Sequence, residues 1–416
     1  MAELRNNTWT LNAWYDEDVA GTAGYSAGGE LWGTGYNVYG NIGNNDRTDR
    51  SSPIQIGSDT TWSGVFGGEF GSYSTLATKI DGTLWSWGRN NMGQLGDNSL
   101  TNRSSPVQIP GTDWSQGYKK NGWMSYAYAA HCIKTDGSMW TWGRNLDGAF
   151  GTNQAGDNTY YSSPVQVGTD TDWKYVMEGS ALKTDGTLWV WGNNNYGGLG
   201  QNQAYPALPK VSSPVQIPGT WSDFWDQGEG DSNKRTLGGM RTDGTLWMWG
   251  YNGNGQLGQN DVVHYSSPVQ LPGTDWQLPF VQTGSSVVAC MFCKTDGSVW
   301  YTGGGSYPSG GYDQTMRQNN GARSSPVQLL ASGQSYDAAA IGWISNAGWL
   351  LNHNGGLYMW GRDSFGWQGS NGPTGAPSYG YIPSSNANQW WPHEAGTLRP
   401  QNVSSNGYTF WMVAPN

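Results

Sequence analysis

Short, largely apolar runs recur along the chain in one form: aromatic residues on alternate positions, with aliphatic or small residues between them. The run reads TLWSWG from Thr83, SMWTWG from Ser138, TLWVWG from Thr187 and TLWMWG from Thr245. Looser copies read ELWGTG from Glu30, SVWYTG from Ser298 and GLYMWG from Gly356. A period of two predicts β-strands. In LWVW, Leu188 and Val190 fall on one face of the strand, and Trp189 and Trp191 on the other. A sheet with one wet face alternates apolar with polar residues, so runs apolar on both faces predict sheets sandwiched between neighbours.

The runs are spaced regularly. The residue before each first aromatic sits at 31, 84, 139, 188, 246, 299 and 357. That period suits a four-stranded unit with its loops. Other signals keep phase. An Asp-Gly pair precedes most runs, at Asp81-Gly82, Asp136-Gly137, Asp185-Gly186, Asp243-Gly244 and Asp296-Gly297. It predicts a two-residue type I′ hairpin loop. The pattern N-x-x-G-x-x-G-x-N follows at 37–45, 90–98, 145–153, 194–202 and 252–260, then Ser-Ser-Pro, then a Trp seven to nine residues on. The expected architecture is all-β: a seven-bladed β-propeller of four-stranded antiparallel blades, with eight blades as the alternative. A ring leaves no aromatic sheet face exposed at either end. Residues 1–8 read as an N-terminal extension and 9–384 as seven repeats. Residues 385–416 read as a partial repeat, in which NGYTFWMV from Asn406 echoes the strand run and closes or pads the ring.

DGTLWSWGRNNMGQLGDN followed by RSSPVQI resembles the repeat of the regulator of chromosome condensation family. The resemblance covers nearly the whole chain and implies a seven-bladed propeller. It also suggests nucleotide-exchange activity, but the chain has no basic N-terminal arm for chromatin.

Composition agrees with many short strands and tight turns: 64 Gly, 26 Trp and 23 Tyr in 416 residues, with 12% charged. A net charge of −10 argues against a nucleic-acid partner. No run approaches the ~20 apolar residues of a membrane helix, and MAELRNNTWT has no signal-peptide pattern.

The chemical motifs reduce to structural readings. Cys290 and Cys293 have C-x-x-C spacing, yet their repeat positions hold apolar strand residues elsewhere, so burial is expected. Gly253, Gly255 and Gly258 spell G-x-G-x-x-G without the helix that a dinucleotide loop requires. Arg89, Arg144 and Arg362 follow W-G, while Arg50, Arg103 and Arg323 precede Ser-Ser-Pro. They read as ties between neighbouring loops or blades. His131, His264, His353 and His393 lack metal-ligand spacing, Asp16-Glu17-Asp18 reads as a solvated loop, and no carboxylate pair stands out for glycoside hydrolysis. No catalytic residue, cofactor or metal is expected.

Function is therefore sought in the departures from the repeat. The connection before Ser-Ser-Pro varies most: QAGDNTYY at 154–161, QAYPALPKV at 203–211, DVVHY at 261–265, GSYPSGGYDQTMRQNNGA at 305–322 and NGPTGAPSYGYIP at 371–383. Tyr160, Tyr161, Tyr205, Tyr307, Tyr312, Tyr379 and Tyr381 are the candidate binding residues, on loops composed like binding paratopes. A second variable region, such as GYKKNGWMSYAYAA from Gly117, offers a separate contact. The expectation is a non-enzymatic binding or structural propeller, virion-associated (phage tail, fibre or decoration) or extracellular, made without a signal peptide. Its partners would be other virion or surface proteins and a cell-surface glycan or receptor, within a larger assembly. A regulator capping a partner protein is the alternative, and a polysaccharide hydrolase a further one.

Overall fold

The computed structural model describes residues 28–67, 73–115, 122–124, 129–154, 159–177, 179–227, 234–276, 280–283, 288–303, 323–330, 336–344, 347–352, 357–361, 402–405 and 409–415. Its regular elements are strands. β1 (Gly29–Gly35), β2 (Arg50–Gln55), β3 (Trp62–Gly67), β4 (Ser74–Lys79), β5 (Leu84–Gly88) and β6 (Arg103–Ile109) come first. β7 (Gly122–Met124), β8 (Ala129–Ile133), β9 (Met139–Asn145) and β10 (Thr159–Gln166) form one sheet, and β11 (Trp173–Met177), β12 (Ser180–Lys183), β13 (Leu188–Asn193) and β14 (Lys210–Ile217) the next. β15 (Trp221–Gln227), β16 (Thr236–Arg241), β17 (Leu246–Gly250) and β18 (Tyr265–Gln270) follow, then β19 (Phe280–Thr283), β20 (Val288–Cys293), β21 (Val299–Gly303) and β22 (Arg323–Leu330). β23 (Tyr336–Ile344), β24 (Ala347–Asn352) and β25 (Leu357–Gly361) form a three-stranded sheet, and β26 (Asn402–Ser405) and β27 (Thr409–Pro415) end the chain.

The expectation of seven blades, or eight, is not met. Among the described residues five four-stranded antiparallel blades are complete: β3–β6, β7–β10, β11–β14, β15–β18 and β19–β22. β1, β2, β26 and β27 do not form a separate blade. β1 pairs with β27 along its whole length and with β3 at Gly29↔Trp62, which makes one eight-stranded sheet with β3–β6. Gly28 permits this approach, because a Cβ there would lie 2.5 Å from the Thr61 Cα. The all-β class holds. The blades meet at their first strands: β3 touches β7, β7 touches β11, β15 touches β19 and β19 touches β23. β26 touches both β23 and β3, so the described strands close a ring.

The paired indoles do two different jobs. In β13, Leu188 and Val190 are fully buried against Trp221, Phe224 and Trp249 of the next blade, whereas Trp191 packs back among Ile133, Met139 and Val167 of the preceding one. In four runs the second indole donates its Nε1–H to a carbonyl of the preceding Asn-Gly segment: Trp87 to Asn41, Trp142 to Gln94, Trp191 to Ala149 and Trp249 to Gly198, at 2.7–2.9 Å. Where the sixth run has Thr302 in that place, its hydroxyl donates to the equivalent Gln256 carbonyl at 2.6 Å. The first indole stays near the hairpin turn and donates to a hydroxyl two residues back, as Trp85 does to Thr83 and Trp189 to Thr187.

The N-x-x-G-x-x-G-x-N segments latch one repeat to the next. The first Asn accepts from an amide five residues on, as Asn90 does from Leu95. The first Gly has positive φ and presses on the next sheet: a Cβ on Gly93 would lie 2.8 Å from Ser162 Cα, and one on Gly255 2.6 Å from Ser324 Cα. The last Asn takes the left-handed conformation and donates its amide across the gap. Asn45 bonds the Ser104 carbonyl, Asn98 that of Ser162, Asn153 that of Ser212, Asn202 that of Ser266 and Asn260 that of Ser324, at 2.6–2.8 Å. The G-x-G-x-x-G of residues 253–258 is one such latch.

The Asp-Gly hairpins are not type I′. Only the glycine has positive φ, as in Gly82 at 79°. Gly82 donates to the Lys79 carbonyl and Lys79 to that of Thr83, which defines a three-residue loop with Gly in the left-handed place. The Asp81 carboxylate holds the turn by accepting from both the amide and the hydroxyl of Thr83, and these bonds keep it below the usual carboxylate range.

Gly96 has a φ of +70°, and a Cβ there would sit 2.7 Å from Trp142 Nε1; Gly57 has a φ of +69° with nothing within 4 Å. In denaturant unfolding, Gly57→Ala is expected to cost about 1 kcal/mol from backbone strain alone, and Gly96→Ala about 3 kcal/mol because the indole must also move.

Candidate functional site

In an antiparallel four-stranded blade, the first and third connections leave from one end and the second from the other. The Asn-Gly connections (third) and the variable segments between the spaced Trp and the next strand (first) therefore emerge on the same rim. The second variable region expected to offer a separate contact lies largely outside the described residues. The Asp-Gly turns occupy the opposite rim.

The Asn-Gly rim carries every exposed large hydrophobic side chain among the described residues: Val38, Leu100, Tyr160, Tyr205, Val262 and Val263, at 45–66% exposure. Tyr160 lies on β10 and is half exposed; Tyr205, at 66%, stands before Pro206 in the β13–β14 connection. Tyr161 is less free: its ring stacks on Phe150 at 5.4 Å and its hydroxyl donates to Gln154 Oε1 at 2.7 Å. Tyr307, Tyr312, Tyr379 and Tyr381 lie outside the described residues.

Two aromatic clusters on this rim were not among the expected residues. Tyr36, Tyr39 and Tyr73 meet at 5.1–5.6 Å, with the Arg89 guanidinium 5.2 Å from the Tyr39 ring. Burial, with Tyr73 beside it, raises the Tyr36 phenol above its ordinary range. Tyr196, Tyr251 and the exposed His264 meet at 4.8–5.0 Å, with the Lys234 ammonium 5.2 Å from the Tyr251 ring. His264 Nδ1 accepts the Asn252 amide, so its proton sits on Nε2, and partial desolvation of the ring holds it below the usual histidine value. The signal lay in the repeat itself: Tyr39 and Tyr196 are the third residue of their Asn-Gly segments, and Tyr36 and Tyr251 directly follow a glycine at the strand end.

In three Asn-Gly segments the third residue meets the residue after the strand run of the next repeat. Tyr39 meets Arg89, Tyr196 meets Tyr251, and the Asp147 carboxylate accepts from Asn193 Nδ2 at 3.1 Å and pairs with Lys210 at 3.4 Å. Arg89 is thus a tie between neighbours. Arg50 and Arg103 instead pair with Asp46 and Asp97 within their own loops.

The groups that might suggest chemistry are enclosed. Cys132, Cys290 and Cys293 are buried free thiols, and burial pushes Cys132 and Cys290 up. Among the described residues no group of three or more His, Cys, Asp or Glu could hold a metal. Arg235, just before β16, and Asp226 on β15 form a buried two-point ion pair, at 2.5 and 3.1 Å. Arg235 also donates to the Trp191 and Gly179 carbonyls, and Ser180 donates to Asp226. Burial raises the Asp226 carboxyl against the pull of Arg235 and Ser180. His131 is fully buried; its Nε2 bonds the Ala149 carbonyl that Trp191 also uses, and Nδ1 has no partner among the described residues. Burial lowers His131 to about 4 from an ordinary 6.5.

The geometry is that of a closed ring of radial antiparallel blades, a β-propeller. Residues 81–116 and 243–289 match the regulator of chromosome condensation (RCC1) repeat. The chain is 32% identical over 162 residues to the ultraviolet-B receptor UVR8 of Arabidopsis thaliana, covering 38% of this chain and 34% of that protein. It is 30% identical over 121 residues to the E3 ubiquitin-protein ligase HERC2 of Homo sapiens, covering 29% of this chain and 2% of that one. Alignment thus spans about a third or less of these relatives' length. Among solved structures, human WBSCR16 superposes with a TM-score of 0.70 over 93% of this chain and 99% of that one at 17% identity. Prp20p of Saccharomyces cerevisiae gives 0.68 over 98% and 95%, also at 17%. The protein is a β-propeller that carries RCC1-type repeats at residues 81–116 and 243–289.

Two stability predictions follow from the enclosed groups. Arg235→Met strands the Asp226 carboxylate, and is expected to cost about 3–5 kcal/mol in equilibrium unfolding. For His131, the unfolded chain takes up a proton as pH falls through 6.5, while the folded chain refuses it until about 4. Its contribution is therefore complete above 6.5 and declines toward 4, by about 1.4 kcal/mol per pH unit and roughly 3 kcal/mol in all. Unfolding at pH 7 and pH 4.5 should show this loss. His131→Leu should remove it, since Leu76 fills the same repeat position and Trp191 still serves the Ala149 carbonyl.

Proposed function

We propose that the protein is a non-enzymatic binding propeller that engages its partner through the Asn-Gly rim. The observation that carries this reading is the confinement of all exposed large hydrophobics among the described residues to that rim. Monomeric surfaces seldom concentrate apolar side chains without a partner to cover them. Tyr160, Tyr205, Val262 and Val263 are the contact residues, joined by the Tyr36–Tyr39–Tyr73 and Tyr196–Tyr251–His264 clusters. Tyr161, Tyr307, Tyr312, Tyr379 and Tyr381 extend the surface by their place in the corresponding connections. A β-propeller relative in fold, Prp20p, is described by its binding to Gsp1p and histones and by a complex with Kap60, which supports binding of a protein partner in general terms. A rim that exposes aromatic side chains suits a protein surface or a glycan.

The setting we favour is a virion or extracellular assembly, in which the chain contacts other surface proteins and a glycan or receptor. This finer reading rests on composition: abundant Gly and aromatics, with 12% charged residues.

The test is a glycan array, together with capture of proteins co-purifying with the native assembly, using the full chain and a Tyr205→Ser/Val262→Ser/Val263→Ser variant. The variant should keep its melting temperature and bind at least tenfold more weakly. A folded variant that binds equally well overturns the assignment of this rim.

A further inference from the structure

The opposite rim holds a second regularity. In five blades a cation at the end of the second strand, or just after it, lies against two indoles. Lys79 faces Trp62 and Trp85, Lys134 faces Trp114 and Trp140, Lys183 faces Trp173 and Trp189, and Lys294 faces Trp276 and Trp300, with the ammonium 3.9–5.2 Å from the ring centres. The fifth is Arg241, 5.2 Å from Trp221 and 4.0 Å from Trp247.

Each of the four lysines also receives a carboxylate from the connection that leads into its first strand. Lys79 pairs with Asp59 at 2.5 Å, Lys134 with Asp113 at 3.1 Å, Lys183 with Asp170 and Asp172 at 2.6 and 3.0 Å, and Lys294 with Asp275 at 3.0 Å. Arg241 has no such partner. Two of the other connections read PGTDW, at Pro110–Trp114 and Pro272–Trp276; the one facing Arg241 reads PGTW, at Pro218–Trp221. The residue lost is the aspartate. Arg241 makes no ion pair or hydrogen bond from its side chain to any described residue, and its Nε is buried without a partner. Asp243 in the adjoining turn feels the Arg241 charge, but its Oδ1 accepts from the Thr245 amide and hydroxyl. The shortened connection is exposed, and its Gly219 lies beside the guanidinium, with a Cβ there only 3.4 Å from Arg241 Nη2.

We propose that Arg241 receives a carboxylate from outside the fold: an aspartate or glutamate side chain of a partner protein. The four sister blades supply the template, because each places a carboxylate against the same cation. The change from Lys to Arg fits the task. A guanidinium offers a planar fork that can grip one carboxylate at two points, and it stacks on indole while doing so. The site lies on the rim opposite the aromatic surface, so it is a second contact, independent of the first. With a net charge of −10 on the chain, a single acidic side chain should bind weakly, about millimolar, and in a salt-sensitive way.

The test uses the full chain labelled with 15N at arginine Nε. The Arg241 Nε–H signal is assigned by its loss in Arg241→Lys and followed during titration with an acetylated, amidated peptide Gly-Asp-Glu-Gly. A second titration uses the amide analogue Gly-Asn-Gln-Gly. The expected result is a saturable shift with the acidic peptide, at least tenfold weaker with the amide analogue. An aspartate inserted between Thr220 and Trp221 should fill the place in cis and weaken peptide binding at least tenfold. If the insertion unfolds the chain, Arg241→Met replaces it, read by peptide NMR line broadening, which should disappear. No saturable shift, an equal response to the amide peptide, or binding undiminished by the folded insertion or by Arg241→Met would overturn the proposal. So would an Arg241 signal already that of a paired guanidinium in the free protein.

Discussion

The structure depends on polar bonds that cross between hydrophobic sheets. Stacked apolar faces supply the attraction, but attraction between flat aromatic surfaces does not fix how far one sheet slides on the next. Directional bonds that recur from repeat to repeat fix it. An indole N–H reaches back to a carbonyl of the preceding blade's loop, and an asparagine amide of that loop reaches forward to the carbonyl of the first serine in Ser-Ser-Pro. Both use groups that would be costly to bury unpaired, so a slipped arrangement forfeits packing and satisfaction together. Thr302 illustrates the order of priority. The large ring is gone from its position, yet the bond to the Gln256 carbonyl is kept.

Much of this was legible in the sequence. Apolar residues on both strand faces at Leu188–Trp191 required a neighbour on each side, and the fixed phase of Asp-Gly, Asn-Gly and Ser-Ser-Pro marked the units. The number of separate blades was not legible, because it turns on backbone pairing at Gly29↔Trp62, and a glycine's close approach to another chain segment leaves no periodic trace. The hairpin type was misread for a related reason. Asp81 stabilises its turn through its side chain, and a D-G pair alone does not reveal where that carboxylate points.

The rim was partly legible. Variable connections drew attention to Tyr160 and Tyr205, which are exposed. Tyr39, Tyr196 and Tyr251 escaped notice because they sit inside the repeat rather than in its insertions. Their contacts join residues from adjacent repeats, about fifty positions apart in the chain. A motif scan looks along the chain, whereas these clusters assemble across it.

The pairing of Tyr39 with Arg89, Asp147 with Asn193 and Lys210, and Tyr196 with Tyr251 means that each of these three Asn-Gly segments is half of a couple whose other half belongs to the following repeat. A segment transplanted to another position would arrive without its counterpart. Diversification of this surface, in a laboratory or in a lineage, is therefore constrained to move in matched steps, two blades at a time.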